Sequence, residues 1–243
     1  MTTTTPRLKP SEEGTIDFPR DGETYKTYYK IFGDLKNRTH PPLVVVHGGP
    51  GLSHDYLLPI ANLVETTGTP VVFYDQIGNA RSTHLKDKPP SFWSIGLWID
   101  ELVNLLTHLG ISDSFDLLGH SWGGIMGVEY EVRVQPPGLR HLIISNSLAA
   151  YNLWTESNEQ LIQNISLEAQ GALNDGREKD REGYRSALFE LHSKHGCLVQ
   201  PLPEEYVYSL DQIFGPEGDT AVNDASESCV PFAAFVNALA HQE

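Results

Sequence analysis

The chain has 243 residues, of which 40% are hydrophobic and 20% are charged, so it can form one globular domain with a substantial core. Its 32 acidic residues outnumber its 17 basic residues, and the formal net charge of −15 disfavours contact with nucleic-acid phosphates. No apolar run approaches the roughly 20 residues of a membrane span, and the start, MTTTTPRLKPSEEG, lacks the apolar segment of a secretory signal. We therefore expect neither a nucleic-acid partner nor a membrane partner.

The cysteine content bears on the cellular compartment. Cys197 and Cys229 are the only cysteines, and they form no metal-ligand pattern. We expect both to be free thiols in a reducing environment. These features predict a cytoplasmic protein that uses no metal and no organic cofactor.

The first part of the chain predicts a hairpin followed by buried strands. Short β-prone runs over residues 15–32 surround an Asp-Gly pair at 21–22, which favours a hairpin turn. The runs Leu43–Val46 and 71–74 are short, apolar and rich in β-branched residues, as buried parallel strands are. Residues 54–65 between them are predicted to be helical.

The next segments continue as alternating helices and strands. Apolar residues over 98–109 recur at helical spacing, and Gly110 is expected to end that helix. Residues 115–118 then predict a strand, residues 123–134 a helix and Leu139–Ser145 a further strand. Strands that alternate with helices predict an α/β fold with a mostly parallel sheet.

The character of the sequence changes at about residue 149. Polar segments over 156–170 and 179–195 predict helices, and no strand that could rejoin the sheet follows them. We therefore expect an α/β core over residues 1–148, a helical cap over 149–222 and an atypical C-terminal tail over 223–243.

Residues 119–124 read GHSWGG and lie between a predicted strand and a predicted helix. In the pattern G-x-S-x-G, Gly119 and Gly123 permit a sharp turn that lifts the hydroxyl of Ser121 above the sheet edge. The backbone N–H of Trp122 would then face a substrate oxygen. The alternative is a glycine-rich helix start in which Ser121 only caps the helix. The strand before the motif and the helix after it favour a catalytic serine.

Residues 47–51 read HGGPG and follow the predicted strand Leu43–Val46. The glycines let the backbone approach a substrate, and the N–H of Gly49 can be the second donor of an oxyanion hole. We expect His47 to orient this loop, because the base of such a site follows the serine in the chain. The alternative is a simple turn at the end of a strand. A third stretch, DQIGNARS at 75–82, is interpreted as a strand-end turn with a polar rim.

In this order the three stretches resemble the proline iminopeptidase family of α/β-hydrolases. The middle stretch departs from the family at Ala80, where glycine is usual, and at Ile77, where many members have arginine. The resemblance implies an α/β-hydrolase fold with a helical cap and a serine aminopeptidase that releases N-terminal residues, proline or others, from small peptides or amides. It also implies an acyl-enzyme on Ser121, with Gly49 and Trp122 forming the oxyanion hole.

The resemblance covers about residues 14–222 and then fails. Family members continue with a cap glutamate that holds the substrate's α-amine, and with two strands that carry a catalytic Asp and His. Asp224 and His241 follow the serine in the right order, but no strand is predicted to hold either of them. We expect both to be polar residues of a frayed terminus.

Four residues of the predicted cap are candidate substitutes for the family's site residues. His192 and His195 are poor candidates for the base, because histidines on a polar helical stretch are usually solvated. Glu204 and Glu205 are the nearest substitutes for the cap glutamate, and a solvated surface pair is the preferred interpretation of them.

The chain is accordingly expected to be truncated at the C-terminus and to lack the last strands of its sheet. An unpaired sheet edge favours self-association. Three functions stay open: a serine aminopeptidase of the proline iminopeptidase type, a catalytically impaired chain or binding remnant without the Asp and His of the triad, and an amino-acid amidase or esterase on the same fold.

Overall fold

The computed structural model describes residues 8–229, and their side chains as far as residue 225. The strands of this region are β1 Glu12–Arg20, β2 Glu23–Phe32, β3 Leu43–Val46, β4 Val71–Asp75, β5 Phe115–His120 and β6 Leu139–Ser145. Two 3₁₀ helices, Asp55–Asn62 and Pro90–Phe92, accompany the α-helices α1 Leu63–Thr67, α2 Ile95–His108, α3 Trp122–Val134, α4 Tyr151–Ile162, α5 Leu167–Asp175, α6 Arg181–His195, α7 Glu204–Phe214 and α8 Ala221–Cys229.

The predicted N-terminal hairpin is confirmed. β1 and β2 pair antiparallel along their whole length. The turn residues Asp21 and Gly22 have φ values of 52° and 81°. Both lie in the left-handed region, which the favoured two-residue hairpin turns require and which Asp and Gly tolerate.

The six strands form one sheet in the order β1-β2-β4-β3-β5-β6. β2 pairs antiparallel with β4, whereas β4, β3, β5 and β6 pair parallel with one another. All residues of β3 and β4 are buried, as expected for central strands that helices cover on both faces. The carboxyl ends of β3, β4 and β5 lie at one edge of the sheet, so the loops that follow them can meet there.

The predicted helix before β5 is confirmed as α2. Its first turn is capped by Ser94, whose hydroxyl accepts a hydrogen bond from the N–H of Leu97. Trp98 and Leu102 are buried in the main core. The helix ends just before Gly110, which has a φ of 63°.

The prediction that residues 54–65 are helical is confirmed, but the region is divided into two segments of different type. This region forms the 3₁₀ helix Asp55–Asn62, followed by the five-residue helix α1. Pro59 lies inside the first segment. Proline has no N–H to donate and crowds the preceding turn, which disfavours a continuous α-helix here.

The segment after β6 is helical, as predicted, with no strand between residues 146 and 229. The predicted helix over 156–170 is wrong in its extent, because α4 ends at Ile162 and a separate helix, α5, begins at Leu167. Ser166 starts the second helix, since its hydroxyl accepts a hydrogen bond from the N–H of Ala169 at 3.2 Å. The break was therefore readable as a serine N-cap.

The last described helix, α8, crosses the predicted boundary between cap and tail at residue 223. Val222 and Ala225 are 1% and 3% exposed and belong to the main core. The start of the predicted tail is therefore packed against the sheet domain. The rest of the predicted tail, including His241, lies outside the described residues.

Within the described residues, β6 forms one edge of the sheet and β1 forms the other. In the described region β6 pairs with β5 alone, and Ile143 and Ile144 are 42% and 54% exposed. The predicted unpaired edge is confirmed for this part of the chain, and self-association through it stays a prediction. Between residues 8 and 229, no helix has both the length and the apolar character needed to cross a membrane.

A buried carboxyl group connects α2 with β2 and with the loop after β4. Glu101 is fully buried and accepts hydrogen bonds from the hydroxyl of Thr27 at 2.5 Å and from the N–H of Ile77 at 2.9 Å. Burial raises the pKa of Glu101 to about 8, although both hydrogen bonds act in the opposite direction. The folded protein therefore holds a proton on Glu101 that the unfolded chain releases.

The proton held on Glu101 makes the stability of the folded protein depend on pH. Because the pKa of Glu101 is higher in the folded state, the contribution of this residue to the free energy of unfolding is fully present below about pH 4.5. That contribution is lost as the pH rises to about 8. We expect Glu101→Gln to flatten the decrease of the unfolding free energy in this window, as measured by urea titration at several pH values. Glu156→Gln, at an exposed position on α4, is the control. An equal decrease in wild type and Glu101→Gln would contradict the assignment.

Candidate active site

Ser121 lies on the sharp turn between β5 and α3, as predicted. Its backbone has φ 53° and ψ −119°, a conformation that non-glycine residues rarely adopt. The N–H of Ser121 donates to the carbonyl of Ser145 at 3.0 Å, and its own carbonyl accepts from the hydroxyl of Ser147 at 2.8 Å. The side chain of Ser121 makes no capping hydrogen bond. The alternative of a serine that only caps α3 is therefore wrong.

Residues 119–124, which form the sharp turn from β5 to α3, are called the elbow below. Close backbone contacts require glycine at two of its positions. A Cβ atom on Gly123 would lie 2.8 Å from the carbonyl oxygen of His47, and closer still to that of Val46. A Cβ atom on Gly119 would collide with the carbonyl group of Gly123. A side chain at Gly123 would push α3 away from the end of β3, and one at Gly119 would push α3 away from the end of β5.

The HGGPG loop lies directly beside the nucleophile candidate. A Cβ atom on Gly48 would lie 3.0 Å from the Cβ of Ser121. Within residues 8–229, no hydrogen bond to another protein group uses the backbone N–H of Gly49 or of Trp122. Free N–H groups beside the serine are what an oxyanion hole needs, so their role there stays our prediction.

His47 fixes the peptide plane next to this loop. Its Nδ1 donates to the carbonyl oxygen of Gly48 at 2.8 Å, while its Nε2 accepts from the N–H of Gln76 at 3.0 Å. The carbonyl of Gly48 and the N–H of Gly49 belong to one planar peptide unit, so His47 also orients that N–H. Burial lowers the pKa of His47 to about 4, and the ring is neutral. The prediction that His47 orients the loop is confirmed.

Gln76 joins the three sequence motifs, a role that the sequence analysis missed. Its Nε2 donates to the carbonyl of His47 at 3.1 Å, and its Oε1 accepts from the indole N–H of Trp122 at 3.1 Å. The side chain is fully buried. The available signal was its position, because a polar residue directly after a buried central strand lies at the edge where such loops meet.

The residues around Gln76 form a buried ion network. Asp75 lies 2.7 Å from His54 Nδ1 and 3.1 Å from Arg81, whose guanidinium also binds both oxygens of Asp55 at 2.9 Å. Burial opposes the ionisation of Asp75, but His54 and Arg81 outweigh it and hold the pKa of this carboxyl well below its usual range. Ligand atoms of His54, Asp55 and Asp75 lie within 4.8 Å of one another. Because Arg81 occupies both carboxylates, the cluster fits an ion pair better than a metal site.

No general base for Ser121 is found among residues 8–225. No hydrogen bond involves the Ser121 hydroxyl in this region. Six histidines of residues 8–225 form hydrogen bonds with groups other than Ser121, namely His47, His54, His84, His120, His141 and His192. The other histidines there are exposed, namely His40, His108 and His195.

Two further candidates for the triad, His192 and Asp224, have other partners in the structure. His192 hydrogen-bonds the hydroxyl of Tyr206 at 2.6 Å and is half-buried, so it is packed within the cap and is not solvated as expected. Asp224 pairs with the guanidinium of Arg177. The expectation that Asp224 belongs to a frayed terminus is wrong, because this residue lies on α8 between the core residues Val222 and Ala225.

The two glutamates of the predicted cap differ in position. Glu204 is exposed at the start of α7. Glu205 lines a cavity of about 400 Å³ together with Tyr56, Cys197 and Tyr206. Glu205 is therefore not part of a simple solvated pair.

The order of the sheet, the helical cap and the strand–serine–helix turn define an α/β-hydrolase. A family model described as the alpha/beta hydrolase fold matches residues 41–225. The chain belongs to this family. The three motifs predicted a narrower resemblance within it, to the proline iminopeptidases.

Comparison with individual proteins agrees with this resemblance. A proline iminopeptidase of Clostridium botulinum is 37% identical, with 85% of this chain and 77% of the relative covered. One of Lactobacillus delbrueckii subsp. lactis is 34% identical, with 74% and 62% covered. A crystal structure of the Mycobacterium smegmatis proline iminopeptidase has a TM-score of 0.69 and 36% identity, and 86% of this chain and 69% of that chain are covered. The chain thus spans less than two thirds of the Lactobacillus relative.

Because the backbone is crowded at Gly123, we expect a single added methyl group there to destabilise the protein strongly. We expect Gly123→Ala to lower the unfolding free energy by about 3 kcal/mol or more, or to prevent folding, because backbone atoms must move. The control is Gly171→Ala in α5, where an added Cβ would meet no atom within 4 Å. That variant should be stabilised by roughly 0.5–1 kcal/mol. Wild-type stability of Gly123→Ala in a denaturant titration would contradict this account.

Proposed function

We propose that this chain carries the nucleophile and the oxyanion hole of a serine hydrolase. In the proposed chemistry, the hydroxyl of Ser121 adds to the carbonyl carbon of an amide, the C–N bond then breaks, and the amine leaves with the serine proton, so that an acyl-enzyme remains. The N–H groups of Gly49 and Trp122 stabilise the oxyanion of the tetrahedral intermediate. Water then hydrolyses the acyl-enzyme.

One observation carries this proposal: the hydroxyl of Ser121, which has no hydrogen-bond partner among residues 8–225, lies on a strained turn directly against Gly48 of the HGGPG loop. Strained backbone of this kind is retained where a side chain must be presented in one orientation. The buried contacts of His47 and Gln76 hold both loops without using any atom of the serine side chain. Such fixed donors favour acyl transfer, because they need no rearrangement as charge develops.

The substrate class that we infer is a small peptide or amino-acid amide with a free N-terminal residue. Support comes from the relatives, which are named proline iminopeptidases. The cavity that Glu205 lines includes none of Ser121, Gly49 and Trp122, so we propose no contact of Glu205 with the substrate amine.

A second candidate function is a catalytically impaired or carbonyl-binding protein. It is favoured by the partners of the histidines, since none of those between residues 8 and 225 hydrogen-bonds Ser121. A serine hydroxyl without an adjacent base is a weak nucleophile at neutral pH. Loss of the base typically lowers kcat by about 10⁴ or more, and leaves the contribution of the oxyanion hole.

The proposal is tested by labelling the purified chain with a fluorophosphonate and locating the adduct by peptide mass. We expect slow labelling at Ser121 and none in Ser121→Ala, with Ser114→Ala at the other end of β5 as the control. Added imidazole should accelerate labelling, because it supplies a base at a serine that no histidine of residues 8–225 contacts. Hydrolysis of a prolyl arylamide should be roughly 10⁴-fold slower than the 10 s⁻¹ typical of enzymes.

Two results would revise the account. Labelling at another residue, with Ser121 unmodified even in imidazole, would refute the role of Ser121. Ordinary turnover that depends on Ser121 would refute the impaired alternative and require an unrecognised base, with His241 the first residue to substitute.

A further inference from the structure

Tyr56 connects the HGGPG loop with the residue that precedes the nucleophile. Its hydroxyl accepts a hydrogen bond from the N–H of Gly48 at 2.8 Å and lies 2.7 Å from Nδ1 of His120. A Cβ atom on Gly48 would lie 2.9 Å from this hydroxyl oxygen and 3.0 Å from the Cβ of Ser121. Gly48 is therefore held between the Tyr56 hydroxyl and the nucleophile candidate.

The protons at this contact can be assigned from the partners. The hydroxyl of Tyr56 has one proton, and the N–H of Gly48 already occupies its oxygen as an acceptor. If the hydroxyl proton points to His120 Nδ1, both polar groups are satisfied. Burial lowers the pKa of His120 and raises that of Tyr56, so the imidazole is neutral and the phenol keeps its proton. His120 then carries its own proton on Nε2.

The other side of Tyr56 contacts the cap. Its backbone N–H donates to the hydroxyl of Ser209 at 3.3 Å, and its ring meets the ring of Tyr206 edge-on, with the centroids 6.2 Å apart. Ser209 and Tyr206 both belong to α7. The hydroxyl of Ser209 also lies 2.7 Å from that of Ser53. The main chain of Tyr56 is thus bound to the cap, while its hydroxyl is bound to the HGGPG loop.

We propose that Tyr56 is a positioning residue that couples the docking of helix α7 to the geometry of the oxyanion hole. The inference rests on the proposed role of Gly49 as an oxyanion donor. Gly48 and Gly49 share one peptide unit, so a displacement of Gly48 turns the N–H of Gly49 away from the substrate oxygen. The hydrogen bond from Tyr56 N–H to Ser209 fixes the position of Tyr56 relative to α7. The hydroxyl of Tyr56 in turn fixes the position of Gly48.

The first test measures the contact itself, without any catalytic activity. In Tyr56→Phe, amide hydrogen exchange of Gly48 should be roughly tenfold faster, because one hydrogen bond is lost. The ¹⁵N resonance of His120 Nδ1 should also shift, since its donor is removed. The control is Tyr29→Phe, which loses a hydroxyl hydrogen bond of 2.6 Å to Glu12 in the β1–β2 hairpin. It should leave both signals unchanged.

The second test follows the effect on the serine and the link to the cap. Fluorophosphonate labelling of Ser121 should be about five- to tenfold slower in Tyr56→Phe than in wild type. Ser209→Ala should change Gly48 exchange and labelling in the same directions, because it removes the contact between α7 and the Tyr56 N–H. Tyr29→Phe should label at the wild-type rate.

The outcomes separate this inference from the proposed function. Unchanged Gly48 exchange in Tyr56→Phe refutes the contact, and unchanged exchange in Ser209→Ala refutes the coupling to the cap. Faster exchange with wild-type labelling refutes the positioning role. A wild-type chain that is not labelled at Ser121 refutes the proposed serine chemistry, and the coupling is then supported or refuted by Gly48 exchange in the two variants.

Discussion

The candidate site depends on one close contact, between the first turn of α3 and the carbonyl end of β3. Gly123 lies so near the carbonyl groups of Val46 and His47 that a single Cβ atom would separate the two elements. Because they stay together, Ser121 and the HGGPG loop face one small space. The positive φ of Ser121 follows from the same constraint, since the chain must reverse from strand to helix within one residue.

The polar groups beneath this contact are almost all paired, which keeps both loops in one arrangement. His47 is neutral and uses both ring nitrogens, and Gln76 connects it with the indole of Trp122. The ion network around Asp75 anchors the loop after β4 to the start of the 3₁₀ helix at Asp55. Fixed donors and a rigid surround are the conditions under which electrostatic stabilisation of a transition state is effective.

The sequence allowed the elbow, the hairpin and the parallel strands to be predicted, because glycine pairs, turn dipeptides and β-branched runs act over a few residues. The role of Gln76 was not predictable in this way, since its partners are 29 and 46 residues distant in the chain. The contact of Tyr56 with His120 spans 64 residues and was missed for the same reason. Local signals were also overlooked: Pro59 indicated an interrupted helix, and Ser166 marked the start of α5.

The central claim is that the N–H groups of Gly49 and Trp122 form one oxyanion hole beside Ser121. The most direct measurement is a crystal structure of the chain after prolonged reaction with a phosphonate that forms a tetrahedral adduct on this serine. The account predicts a phosphoryl oxygen within about 2.7–3.1 Å of both nitrogen atoms. An adduct whose oxygens point to solvent, or contact only one of the two N–H groups, would contradict it.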